Sequence, residues 1–183
     1  MKRHFFVLLL LSLGGLTANA QFASSDYVPL KSGLVGSFWF PQVAISTVDN
    51  ENFQLELRLV DPEDYTRIPQ NGKMLVKFES GEVITLHHDD IEQIKDYQTS
   101  WIGNSLITEH ITVDGYEIED IDTFMKNVIT KVRIELINQN YVDVEIKDSY
   151  QNKLHDKLVS AWRECVSEFE SKQTIKNNFE EGF

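Results

Sequence analysis

The chain reads as a single-domain α+β protein, an antiparallel sheet covered by a long C-terminal amphipathic helix. Three observations predict this. Segments between Phe53 and Ile146 alternate apolar and polar residues with the two-residue period of half-buried strands. Turn-forming residues, such as Glu79-Ser80-Gly81 and Asn138-Gln139-Asn140, separate them at hairpin spacing. From Asp148 onward the period becomes helical, with one apolar stripe.

In chain order, the first twenty residues, MKRHFFVLLLLSLGGLTANA, combine a basic start, an apolar run from Phe5 to Leu13 and the small-residue ending Ala18-Asn19-Ala20. This is the layout of a cleaved secretory signal. The run is too short to cross a bilayer core, which takes about 20 apolar residues. The mature chain is therefore expected to be exported, periplasmic or extracellular, with no membrane insertion after cleavage. Gln21 would follow the cut, so no amino-terminal cysteine is present to carry a lipid anchor. Residues 21–36 are mixed in character and are expected to be loosely ordered. The folded domain is expected over 37–171, with 172–183 a flexible tail.

Within that domain, SFWFPQVAIST (Ser37 to Thr47) has strand composition, and Pro41 removes a ladder donor, which points to an edge or a bulge. FQLELRLV is the clearest strand: Phe53, Leu55, Leu57 and Leu59 define a buried face, and Asp61-Pro62-Glu63-Asp64 ends it. KMLVKFESGEVITL forms a hairpin with two conceivable registers. A three-residue loop, Glu79-Ser80-Gly81, puts Met74, Val76 and Phe78 on one face with Ile84 and Leu86, and is preferred because it separates polar from apolar residues. Asn104 to Val113 reads as another strand, Asp114-Gly115 as a turn, and YEIEDIDTFMKN as a short helix with Ile118, Ile121 and Met125 at helical spacing. Val128 to Ile137 is a strand with Thr130, Val132, Ile134 and Leu136 on one face, and its hairpin partner carries Val142, Val144 and Ile146. The helix starts at Asp148 or Ser149 and runs to about Phe169, with Tyr150, Leu154, Leu158, Ala161, Cys165 and Phe169 on its stripe.

These parts, and in particular LVKFESGEVITL and ITKVRIEL, resemble a loose group of small exported proteins of Bacteroidetes-type bacteria. The resemblance spans about Phe53 to Phe169. It implies export and an α+β architecture, and it carries over no activity and no functional residue.

Charge narrows the partners. The full chain has 17 basic and 29 acidic residues. Loss of Lys2 and Arg3 with the signal leaves 17 − 2 = 15 basic residues and a net charge of 15 − 29 = −14. Such a surface repels phosphate backbones and gains nothing from anionic lipid. Nucleic acid is not an expected partner. An unidentified protein or glycan is. Cys165 is the only cysteine, so no internal disulfide forms, and its place on the helix stripe predicts a buried thiol.

No GxSxG, GxxxxGKS/T or HExxH motif is present. His87 and His88 are adjacent in a strand, so they point to opposite faces and cannot share one ion while the strand continues. No metal or cofactor is expected, and no catalytic residue is assigned. Aromatic Trp39 and Trp101 are the candidate ligand-binding residues, as stacking surfaces near a sheet edge. The first functional expectation is a non-enzymatic binding or interaction module. The alternative is a hydrolase or metal-dependent enzyme using His87, His88 or His110 with nearby carboxylates.

Overall fold

The computed structural model describes residues 22–31, 41–61, 68–88, 94–102, 105–137 and 140–181, by backbone alone at 100–102, 105, 107 and 176–181. The described elements are β1 (Ala23–Ser24), β2 (Val28–Pro29), β3 (Gln42–Thr47), β4 (Phe53–Asp61), β5 (Lys73–Phe78), β6 (Val83–His87), β7 (Ile94–Ile102), β8 (Ser105–Ile118), α1 (Ile121–Lys126), β9 (Ile129–Glu135), β10 (Tyr141–Glu145) and α2 (Asp148–Glu181). They form two antiparallel sheets and a C-terminal helix, an α+β arrangement. One sheet runs β1-β3-β4-β8-β7, with β2 also on β3, and the other runs β10-β9-β5-β6.

Local chemistry accounts for the β5–β6 hairpin. Met74 pairs with Leu86 and Val76 with Ile84. The Phe78 amide donates to the Glu82 carbonyl at 2.9 Å and the Gly81 amide to the Phe78 carbonyl at 3.0 Å, which closes the three-residue loop. Gly81 sits at φ +89, the left-handed position that this loop requires. Met74, Val76, Phe78 and Leu86 are buried as that register demands, and Lys77, Thr85 and His87 are exposed.

A bulge alters the next pairing. Lys77 faces Lys131 but Phe78 faces Ile129, so Thr130 is an extra residue in β9. The expected alternation placed Thr130 among the apolar residues. The bulge instead lets Ile129 and Val132, three apart, both enter the core. The Thr130 hydroxyl donates to the Lys77 carbonyl at 3.1 Å, and its carbonyl accepts the Ile146 amide at 2.9 Å.

The expected helix stripe is realised: Tyr150, Leu154, Leu158, Ala161, Cys165 and Phe169 are all buried. They belong to one core cluster with Val43, Ile45 and Leu55 of one sheet and Met74, Val76 and Val132 of the other. α2 packs against β1, β2, β3 and β9. Trp162 meets Phe53 edge to face, with ring centroids 6.4 Å apart. The helix continues to Glu181, past the expected end at Phe169 and through most of the segment read as a tail. No proline or glycine interrupts it before Gly182. Lys172 contributes an ion pair to Glu168 one turn back and a hydrogen bond to the Phe22 carbonyl, both 2.7 Å.

Four further expectations are corrected. Residues 22–31 are not loose: β1 and β2 pair with β3, and Ala23, Val28 and Leu30 are buried in the core. The Tyr150 hydroxyl donates to the Pro29 carbonyl at 2.9 Å, which ties this segment to α2. β3 begins just after Pro41 and lies inside its sheet, with β4 on one side and the short β1 and β2 on the other. Asp114-Gly115 is not a turn, because β8 runs unbroken from Ser105 to Ile118 with β4 alongside from His110 onward. The helix after it is only Ile121–Lys126, capped by Asp120, whose carboxylate accepts the Thr123 amide at 2.9 Å.

The conformation of Gly81 gives a direct test. A Cβ there would meet nothing within 4 Å, so Gly81→Ala isolates the backbone cost of a left-handed residue. The variant should lose roughly 1–2 kcal/mol in urea unfolding, with the native far-UV spectrum retained.

Candidate functional site

Two features of the described residues bear on function: a buried polar junction between the sheets and an outermost strand that projects beyond its neighbours. The junction begins at the end of β6. His87, opposite Lys73, is exposed. His88, the next residue, turns inward and forms an isolated antiparallel bridge with Tyr116 of β8. Its Nε2 lies 2.5 Å from Oδ1 of Asp114, and the two side chains are 6% and 1% exposed. The carboxylate only accepts, so Nε2 carries the hydrogen and donates it. Asp114 shares the core face of its sheet with Leu57 and Val43, and the Gly115 amide also donates to Oδ1 at 3.1 Å.

Tyr116 lies beside this pair, its ring edge-on to His88 at 6.2 Å. Burial first, and then the carboxylates of Asp114 and Glu135, push its phenol well above the ordinary tyrosine range, so it stays neutral. Neither the Tyr116 hydroxyl nor Nδ1 of His88 has a hydrogen-bond partner among the described residues.

An imidazole held by a carboxylate is half of a base-and-orienter arrangement. The cysteine nucleophile is elsewhere: Cys165 is fully buried in α2 with its thiol 3.4 Å from the Ala23 carbonyl. Burial, followed by Glu168 and Glu56, pushes that thiol up to about 12, which suppresses the reactive thiolate. His110 is not drawn to His88. It lies on β8 four residues before Asp114, about 13 Å along an extended strand, and faces Asp61 of β4 and Tyr97 of β7. Among the described residues, no three His, Cys, Asp or Glu side chains gather as metal ligands.

The second feature is β7, which the sequence reading had not assigned as a strand. It pairs with β8 along all nine of its residues and ends the sheet among the described residues. β4 accompanies β8 from His110 to Ile118, so among the described residues 105–109 pair with β7 alone. The result is a two-stranded ribbon that runs about 17 Å past the sheet. Ile94, Tyr97 and Leu106 are 46%, 64% and 57% exposed. Trp101 lies on this ribbon, opposite Leu106. Trp39 falls outside the described residues.

An edge of the other sheet is treated differently. On β9 and β10, Arg133 grips Asp143 through two bonds of 2.6 and 2.8 Å, and Lys131 reaches the same carboxylate at 2.9 Å. The Arg133 guanidinium also lies 4.1 Å over the Tyr141 ring. Arg133 and then Lys131 hold the Asp143 carboxyl far below the usual carboxylate range. This half-exposed network is screened and modest in energy, but it places charge along the β10 edge.

Comparison with protein-family models, curated proteins and solved structures finds no match to this chain. The site is therefore interpreted from its own chemistry.

The junction predicts an asymmetry in stability. His88→Ala or Asp114→Leu removes one member of a buried hydrogen-bonded pair and should each cost about 3–5 kcal/mol in urea unfolding. The double variant His88→Leu/Asp114→Leu removes both and should recover most of that loss. Equal loss in the double variant would count against a buried mutual pair.

Proposed function

We propose that this chain is an exported, non-enzymatic binding module whose contact surface is the β7 edge with Trp101. One observation carries the reading: a nine-residue strand ends the sheet among the described residues, with Ile94 and Tyr97 exposed along it, and its last five residues, Trp101 among them, run past the end of β4. Sheet edges bind extended chains through main-chain hydrogen bonds, and alternate side chains supply selectivity. Aromatic side chains at such an edge offer large contact area at low entropic cost. The polar junction supports the same reading, because a histidine enclosed at 6% exposure and tied to Asp114 is suited to joining the sheets rather than to meeting a substrate. Export rests on the signal-like residues 1–20, and kinship with small exported Bacteroidetes-type proteins is part of the same proposal. The ligand class is a protein or glycan, as the acidic charge disfavours nucleic acid.

Capture of ligands by the mature chain, from a cell extract and on a glycan array, tests the reading. Trp101→Ala should reduce any specific capture at least several-fold while His87→Ala leaves it unchanged. Capture indifferent to Trp101→Ala would remove the edge from consideration.

A second reading, a hydrolase or metal-dependent enzyme using His87, His88 or His110, draws on the carboxylate at His88 Nε2. It predicts that divalent ions raise the melting temperature and that His88→Ala abolishes the rise. A flat response in the parent chain sinks the metal-dependent form of this reading.

A further inference from the structure

We infer that the partner at the β7 edge is a second copy of this chain, joined by antiparallel pairing of β7 with β7 about a two-fold axis at Gln98. The inference rests on the proposed use of β7 as the binding edge and names its occupant. A two-stranded ribbon without a third strand is marginal in water, and among the described strands residues 105–109 pair only with β7. β7 is also the longest of the outer strands among the described residues. β6 and β10 are five residues each, β6 leads directly into the His88 bridge, and β10 bears Asp143 and Glu145.

The strand IKDYQTSWI is complementary to itself when reversed. With Gln98 opposite Gln98, Ile94 lies opposite Ile102, Lys95 opposite Trp101, Asp96 opposite Ser100 and Tyr97 opposite Thr99. Isoleucines meet at both ends, and no like charges face each other. Lys95 opposite Trp101 sets a cation against an aromatic. A shift of two residues would place Ile94 opposite Ser100 and lose this match. Charge favours the same edge: β7 carries one lysine and one aspartate, so it is neutral, in a chain of net charge −12. Two acidic copies therefore meet where neither carries excess charge. Glu109, the acid beside the axis, is already engaged by the Gln98 side-chain amide.

Sedimentation equilibrium on the mature chain, under reducing conditions that exclude a Cys165 bridge, should give a concentration-dependent dimer. Trp101→Lys sets a lysine against Lys95 of the partner subunit and should weaken the dimer about tenfold. Adding Lys95→Glu restores an attractive pair and should recover most of the loss. Circular dichroism and melting temperature establish that each variant is folded. A monomer at every concentration overturns the inference. If ligand capture still depends on Trp101, the edge reading survives that result. A dimer indifferent to Trp101→Lys, or a folded double variant that stays weakened, also overturns it.

Discussion

Fourteen residues of β8 have different neighbours along their length, and the architecture depends on that division. From His110 to Ile118 one edge is bonded to β4, while the other passes from β7, which ends opposite Val113, to the single bridge at His88 and Tyr116. The same strand thus joins β4 to β7 in one sheet, bridges to the residue after the last strand of the other and extends past β4 as the ribbon with β7. A turn at Asp114-Gly115 would have removed all three relationships. Main-chain pairing with β4 holds these residues extended, since Leu57 faces Asp114 and Glu56 faces Gly115 in uninterrupted register.

Placing Asp114 on a core face costs desolvation, and His88 offsets it. A buried carboxylate needs a donor, and the imidazole supplies one across the gap between the sheets. The pair therefore gives the junction a definite registration that apolar contacts alone do not, because it is satisfied at one relative position of β6 and β8. The helix adds a second, less directional link. Its stripe shares one cluster with residues of both sheets, and its later turns reach back to the Ala23 and Phe22 carbonyls through Cys165 and Lys172.

Much of the fold was legible because its causes are local. The register of β5 and β6 follows from where Gly81 allows the chain to turn and from which residues that turn lines up. The helix stripe from Tyr150 to Phe169 follows from spacing alone. The split between His87 and His88 also follows from strand geometry, one exposed and the other enclosed. β7 escaped notice because IKDYQTSWI has little apolar alternation, as expected of a strand whose side chains from Ile94 to Thr99 are largely exposed on both faces. Residues 22–31 looked loose because two-residue strands leave almost no periodic signal, though Ala23 and Leu30 are buried.

What the sequence by itself determined is what depends on neighbours a few residues apart: strand faces, hairpin register, the helix stripe and the acidic, single-cysteine composition. Tertiary structure alone decided the fate of Asp114, the partner of His88, the bulge at Thr130 and the projection of β7. The physical reason is range. Periodicity records which side of an element is apolar, whereas a partner from another strand is chosen by the whole chain folding at once, and Asp-Gly carries the same local preference for a turn whether or not β4 lies alongside to keep it straight.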